Sequence, residues 1–488
     1  MQAAVVRPAI AIVAMVGVAG CTTGTTPSLP FLTAKGEKTT LIADLKPGRY
    51  AASSLAVGPE KDLARHRAEG LGFVRSAAVE QFLGEARTRL VRASRVTGVP
   101  GRAVILANPA FVAYSTADGN VYVSMGWLEY LENGDEVAAI LAHEISHVLL
   151  THHSADVVSA LQHKAQAIQE IAVSTKAALS RSRAVARSDT RGLEQAQILV
   201  DVTDKLALPA WNRGQEREAD LLGVDLLVRA GYSPGAMVSM LEKLNAWEKR
   251  IAESEHAFWQ RLLQAAQRNL GDAASVAYQQ VLDAVSTSHP KTDERIDDVA
   301  QYLDRHYGDR NLPGPSAAAW KAVATRPEVA EVMRNYDLAF SAKKVLAEGK
   351  AQAAYSYAKA AAAGGTATDA YPNWILAHSA GALGRRQEAI DALQRAISSS
   401  EPAAQIYEDV IVDHERAGNI GAALTWTDRA AATFGGAPRW TPVKIRLLRK
   451  AARTAEANAL MLSCSVDTPD WRRQCQAANQ TPAGRAQR

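Results

Sequence analysis

The segment Leu141-Ala142-His143-Glu144-Ile145-Ser146-His147 combines residue types that bind a metal and move a proton. On a helix, residues four apart share a face, so His143 and His147 can aim imidazole nitrogens at one zinc ion. Glu144 sits about 100° round from His143 at 3.6 residues per turn. Val137, Ile140, Leu141 and Val148 form the apolar stripe of this helix, and Glu144 falls inside it. A carboxylate in a buried stripe is costly without compensation. A metal beside it offsets that cost and lets the carboxylate take a proton from water as the water attacks a carbonyl.

A hydrolytic zinc site needs three protein ligands and an open position. The third ligand is sought 69 residues beyond His147, in Asn212-Arg-Gly-Gln-Glu216-Arg-Glu218-Ala-Asp220. Glu216 and Asp220 are four apart and share a face, so one can bind metal while the other orients a ligand histidine. The spacing leaves Glu216 and Glu218 both open as the ligand.

The surrounding pattern supplies elements to hold these groups. Residues 49–98 read largely helical, with Val79, Phe82, Leu83, Ala86 and Leu90 as an apolar stripe. Pro100-Gly101 breaks that pattern, and Ala103–Leu106, Phe111–Tyr114 and Val121–Val123 read as strands. Asp118-Gly119-Asn120 predicts a hairpin turn between the last two. Asn133-Gly134-Asp135 opens the helix that carries the two histidines. Residues 154–208 form a long Ala-rich insertion, read as helical and as a lid or plug over the cleft. A further helix starts near Asn212 and stops at Gly231 and Pro234. The peptidase-like unit is bounded at 49–307, with a linker at 308–340 opened by the Gly- and Pro-rich run Gly308–Ser316.

The last third repeats. Gly384, Ala389 and Ala396 are matched 34 residues later by Gly418, Ala423 and Ala430, and 35 residues earlier by Gly349, Ala354 and Ala361. Glycine at a turn and small residues where two helices cross, at this period, resemble the tetratricopeptide repeat. The expectation is a mainly α chain: an α+β domain with a small β-sheet beside the histidine helix, then an α-solenoid at 341–460. A tail follows at 461–488.

At the other end, Arg7 precedes an apolar stretch from Ala9 to Gly20, the layout of a secretory signal over residues 1–20. Val18-Ala19-Gly20-Cys21 resembles a bacterial lipobox, which makes Cys21 the lipid attachment point and 21–48 a flexible tether. Thr22 stands where inner-membrane lipoproteins usually show Asp, which favours the periplasmic face of the outer membrane. In that oxidising compartment Cys464 and Cys475 are expected to pair as a disulfide closing a short loop. Beyond residue 20 no run of 18 uncharged apolar residues occurs, so a second membrane span is not expected. With 55 Lys+Arg against 51 Asp+Glu, the net charge of +4 gives no basis for a nucleic-acid partner.

Together, HExxH, the Glu-x-Glu-Ala-Asp string, and Ser288-His289-Pro290 with Arg295-Ile296 resemble the gluzincin family of CaaX-prenyl-protease-like and HtpX-like metallopeptidases. The nearest branch is soluble and periplasmic with C-terminal tetratricopeptide repeats, the BepA-like proteins. The resemblance extends to Asn108–Leu128, where the family has an edge strand beside the site, and to His152 just after the histidine helix. It implies one zinc per chain held by His143, His147 and Glu216, with Glu144 as general base and Asp220 orienting a ligand. It implies that His289 approaches the metal, stabilising an oxyanion or occupying the water position at rest. Arg295 is implied to hold that loop or to assist the oxyanion. His152 and His153 are left as structural.

The expected function is zinc endopeptidase of the cell envelope, acting on misassembled periplasmic or outer-membrane proteins. A substrate strand would add to the edge near Val121–Val123. The alternative is a non-proteolytic assembly factor whose repeats bind an outer-membrane machine. A weaker third reading is a hydrolase of peptidoglycan amides.

Overall fold

The computed structural model describes residues 39–69, 72–153, 213–250, 292–436, 438–467 and 471–480. The expected signal segment, Cys21, most of the tether, the insertion 154–208 and His289 lie outside these residues.

The described chain begins with α1 (Leu41–Asp44), β1 (Gly48–Arg49), α2 (Pro59–Glu69), β2 (Phe73–Val74) and α3 (Ala77–Ser94). The end of the expected tether is therefore ordered. Ile42 is buried, and its N–H donates to Asp225 Oδ2 at 2.9 Å, so an apolar side chain and a backbone donor both anchor it. Strands β3 (Val96–Thr97), β4 (Ala103–Leu106), β5 (Ala113–Ser115) and β6 (Val121–Ser124) follow. A two-residue parallel pair joins β1 to β3, and a four-stranded sheet has the order β2-β4-β6-β5.

In that sheet β4 runs parallel to β6, with Ala103 opposite Val121, and β5 runs antiparallel to β6, with Ser115 opposite Val121. Side-chain alternation divides the two faces. Val104, Tyr122 and Phe73 pack with Leu63 of α2. Ile105, Val121 and Val123 join the main core with Leu83 and Leu90 of α3. The expected hairpin is present, with Gly119 at φ 72° in its turn. Its first strand starts later than expected, because Phe111 and Val112 are buried ahead of the pairing. One expectation is corrected. Val121–Val123 is paired on both sides and has no free edge; the edge strand on this side is β5.

β6 runs directly into α4 (Met125–Tyr130), and a short connection leads on to α5 (Gly134–Leu149), a helix buried along its whole length. Asn133 caps it by accepting from Glu136 N–H at 2.8 Å, while Glu136 Oε2 accepts from Glu132 N–H at 2.8 Å. Crossing it is α6 (Arg213–Ala230). Gly223 sits at the crossing: a Cβ there would lie 3.4 Å from His143 N and 2.6 Å from Met237 Cε. The missing side chain lets the two backbones approach closely enough for the carboxylates of α6 to reach the histidines of α5. A helix over 235–250 (α7) and then α8 (Thr292–Tyr307) complete this half.

The segment expected as a linker also differs. It holds α9 (Ala317–Ala324) and the start of α10 (Pro327–Ala347). Trp320 is buried and its indole N–H donates to Leu131 O at 3.1 Å, and Ser316 N–H donates to Asp135 Oδ2 at 2.7 Å. An Ala- and Trp-containing run finds a core to bury against, so it folds rather than spanning solvent.

Helical hairpins follow: α11 (Ala351–Ala361), α12 (Ala370–Ala382), α13 (Arg386–Ile397), α14 (Ala404–Arg416), α15 (Ile420–Thr433), α16 (Trp440–Lys450), α17 (Thr454–Asp467) and α18 (Arg472–Asn479). The repeated positions have a physical basis. Gly349, Gly384 and Gly418 all take left-handed φ (76°, 72°, 78°) just past the ends of α10, α12 and α14. Ala354, Ala361, Ala396, Ala423 and Ala430 are fully buried in the seams. The same period continues one unit further, where Ala452 occupies the turn at φ 59° and Ala457 and Cys464 are the small buried residues. Cys464 and Cys475 are joined as a disulfide between α17 and α18.

From Thr40 onward the described residues belong to one compact unit. The hairpins return to the first half at Glu401, a buried carboxylate that accepts from Arg67 Nε at 2.8 Å and Arg75 Nη1 at 3.2 Å.

Candidate metal centre

His143 and His147 project from one face of α5, and Glu216 and Asp220 from one face of α6, so four groups converge where the helices cross. One ligand atom from each of His143, His147 and Glu216 lies within 4.8 Å of the others, and all three residues are buried. His143 Nε2 and His147 Nε2 are 3.2 Å apart. Glu216 presents Oε1 to His147 Nε2 at 3.5 Å and Oε2 to His143 Nε2 at 3.7 Å.

The donor set, two imidazole nitrogens and a carboxylate oxygen, is the one zinc takes in open hydrolytic sites. A buried orphan supports the fit. Glu144 Oε2 is inaccessible and makes no hydrogen bond among the described residues. Such an atom costs free energy unless a ligand or metal partner compensates it.

Carboxylates and a guanidinium brace these side chains. Asp220 Oδ1 lies 2.8 Å from His143 Nδ1, which leaves Nε2 of that ring for the centre. Arg295, on α8, donates through Nε and Nη2 to the two oxygens of Asp220, each at 2.8 Å. Its Nη1 lies 2.8 Å from Glu216 Oε2. Three nitrogens of Arg295 are thus engaged by the carboxylates of Asp220 and Glu216, while the His289 loop it was expected to hold lies outside the described residues. Asp220 stands beside His143. Glu218, left open as a ligand, faces His152 Nε2 at 3.1 Å and not the centre.

Electrostatics prepare these groups differently. Burial raises the Glu216 carboxyl, but the Arg295 guanidinium and the two histidines more than offset it, holding the group below its usual range. Burial pushes His147 well below the usual imidazole value, so it stands neutral and able to donate a lone pair. Burial also lowers His143, yet the hydrogen bond and charge of Asp220 outweigh it and leave the group raised. Glu144 goes the other way. Burial pushes its carboxyl up to about 7, opposed by the charge of His143 and a hydrogen bond from Ser115.

Ser115 lies on the edge strand β5, buried, with Oγ 3.3 Å from His153 Nε2. Burial holds His153 down to about 3. Ser115 carried no sequence signal for its position, and although Glu218 was a candidate ligand and His152 lay within the resemblance, nothing in the sequence signalled their contact with each other. Ser115 is brought in by a strand register, His152 by the turn after α5 and Glu218 by the crossing of α6 over α5, none of which local spacing shows.

Fold and site together define a metallopeptidase domain. Residues 81–303 match Peptidase family M48. It is 25% identical over 208 residues to the beta-barrel assembly-enhancing protease of Yersinia pestis, covering 42% of this chain and 41% of that one. The protein of the same name from Escherichia coli (strain K12) is 26% identical over 201 residues, 40% of each chain. Metalloprotease LoiP of Escherichia coli (strain K12) is 31% identical over 137 residues, 28% of this chain and 48% of that one. The chain thus spans about two fifths of the length of the assembly-enhancing proteases it matches. Among the described residues no helix is long and apolar enough to cross a membrane.

Proposed function

We propose that the chain is a zinc-dependent endopeptidase of the bacterial cell envelope, cleaving misfolded or misassembled periplasmic and outer-membrane proteins. The observation that supports it most is the buried convergence of His143, His147 and Glu216 with the unpartnered Glu144 Oε2 beside them. These three residues hold one zinc per chain.

When bound, zinc supplies Lewis-acid polarisation of the scissile carbonyl and of the attacking water. Glu144, with its carboxyl pushed up to about 7, takes the proton from that water and returns it to the leaving amine. Asp220 keeps the Nδ1 proton on His143, and Arg295 fixes the two carboxylates of α6. A substrate strand adds to β5, the edge beside α5, where backbone pairing aligns its carbonyl. His289 assists at the oxyanion. Anchoring through lipid on Cys21 places the enzyme at the periplasmic face of the outer membrane.

The hairpins, read as tetratricopeptide-like repeats, bind outer-membrane assembly machinery. The name of the Yersinia pestis and Escherichia coli relatives, assembly-enhancing protease, favours a second reading in which this binding is the main function.

Glu144→Gln separates the two. Zinc content is expected to stay near one per chain while turnover of an unfolded protein substrate falls at least about 10²-fold. Retained turnover contradicts the endopeptidase reading. Full rescue of envelope assembly by Glu144→Gln favours the binding reading.

A further inference from the structure

The end of α5 closes with an unusual choice of residues. Leu150 caps the helix and Thr151 follows at φ 53°. His152 N–H donates to His147 O at 3.0 Å, and Thr151 N–H donates to Val148 O at 3.1 Å. This is the Schellman pattern, in which the residue two beyond the cap folds back over the last turn. Glycine ordinarily takes the left-handed position, and an apolar pair ordinarily fills the fold-back contact. Here a threonine takes the first, and two buried histidines, His147 and His152, fill the second.

Their rings meet in a defined way. His147 Nδ1 lies 2.8 Å from His152 Nδ1, and His152 Nε2 lies 3.1 Å from Glu218 Oε2. Two nitrogens at that distance need one proton between them. A carboxylate accepts only, so His152 carries its proton on Nε2 and donates it to Glu218. Its Nδ1 is then a lone pair, which accepts the Nδ1 proton of His147. That leaves Nε2 of His147 unprotonated, facing Glu216 Oε1 at 3.5 Å. His143 reaches the same state through one carboxylate, Asp220, at 2.8 Å.

We infer that His152 and Glu218 form a histidine–carboxylate relay that fixes the tautomer and ring orientation of His147. They are positioning residues that do not touch the reacting atoms. The inference rests on the proposed zinc reading and adds a role for the carboxylate that spacing left as a rival ligand.

The test uses the full chain as wild type, His152→Leu and Glu218→Gln, with zinc affinity read by competition against a chromophoric chelator. Leucine restores the apolar fold-back contact of an ordinary Schellman end, so the thermal midpoint of the metal-free chain serves as a folding control. His152→Leu is expected to weaken zinc binding about 10–100-fold with the metal-free midpoint retained. Glu218→Gln, whose amide oxygen still accepts a hydrogen bond from His152 Nε2, is expected to weaken it less. Nitrogen-15 NMR of the zinc-loaded wild type is expected to show His152 protonated on Nε2. Unchanged affinity in His152→Leu, a loss that only follows collapse of the metal-free fold in both variants, or His152 protonated on Nδ1 overturns the relay. A wild type that takes up no zinc instead removes the reading beneath it, and the two failures are distinct.

Discussion

The metal centre and the hairpin array are both built where helices cross, and opposite chemistry fills the two crossings. Between α5 and α6 the contact is polar: two histidines, two carboxylates and a guanidinium, each compensated by the others inside a buried site. In the array the seams are lined largely by alanines, with a few buried polar groups such as Asn373 and Thr427 bonded within neighbouring turns and hairpins, and glycines turn the chain between hairpins. A compensated network concentrates risk, because removing one member leaves the rest buried and unpaired. A stack of similar hairpins spreads it, because each unit touches mainly its neighbours.

Substitutions can break that contrast, and the largest effect belongs to the centre. Arg295→Met leaves Glu216 and Asp220 without their cation. It is expected to lower the unfolding free energy of the metal-free chain by about 3–5 kcal/mol, read by urea denaturation. A loss below about 1 kcal/mol would mean the carboxylates do not depend on Arg295.

The next effect sits at Asp225, which is buried and accepts from Tyr302, Tyr307 and Ile42 N–H. Burial outweighs those bonds and pushes its carboxyl up to about 6. Because the folded value exceeds the unfolded one, its contribution is complete below about pH 4 and is lost as pH rises through about 6. Across that window Asp225 should withdraw about 2–3 kcal/mol of stability, and Asp225→Asn should flatten the slope. An identical pH profile in the variant would locate the titration elsewhere.

In the array, Ala430→Leu overfills one seam and should cost about 1–3 kcal/mol. Zinc affinity should not change with it; a parallel loss of zinc binding would show that the two regions are energetically joined. The smallest effect runs the other way. Ala452 holds a left-handed φ of 59° where three earlier turns have glycine, so Ala452→Gly should stabilise the last hairpin by up to about 1 kcal/mol. A lowered melting temperature would mean that chain entropy outweighs the relief of strain.

The same contrast explains what could be read from sequence. Within one helix, spacing is geometry, so His143 and His147, or Glu216 and Asp220, could be placed on common faces. The 34-residue period was legible wherever glycine marked the turn. The fourth turn escaped because alanine stands at 452. Past a helix end the rule fails: Thr151 reverses the chain, and His152 returns to His147 through a conformation that threonine seldom adopts. Strand pairing is non-local too, so the hairpin was legible but its outer member was not. Helices at 317–324 and 327–347 replaced the expected linker because Trp320 found Leu131 across a distance in sequence that periodicity cannot span.

The most direct test is anomalous diffraction at the zinc edge from crystals of the full chain loaded with zinc. One peak per chain is predicted, about 2.0–2.1 Å from an imidazole nitrogen of His143 and of His147 and about 2.0–2.2 Å from a carboxylate oxygen of Glu216. A peak elsewhere, or one that only a single member of that trio touches, would contradict the account.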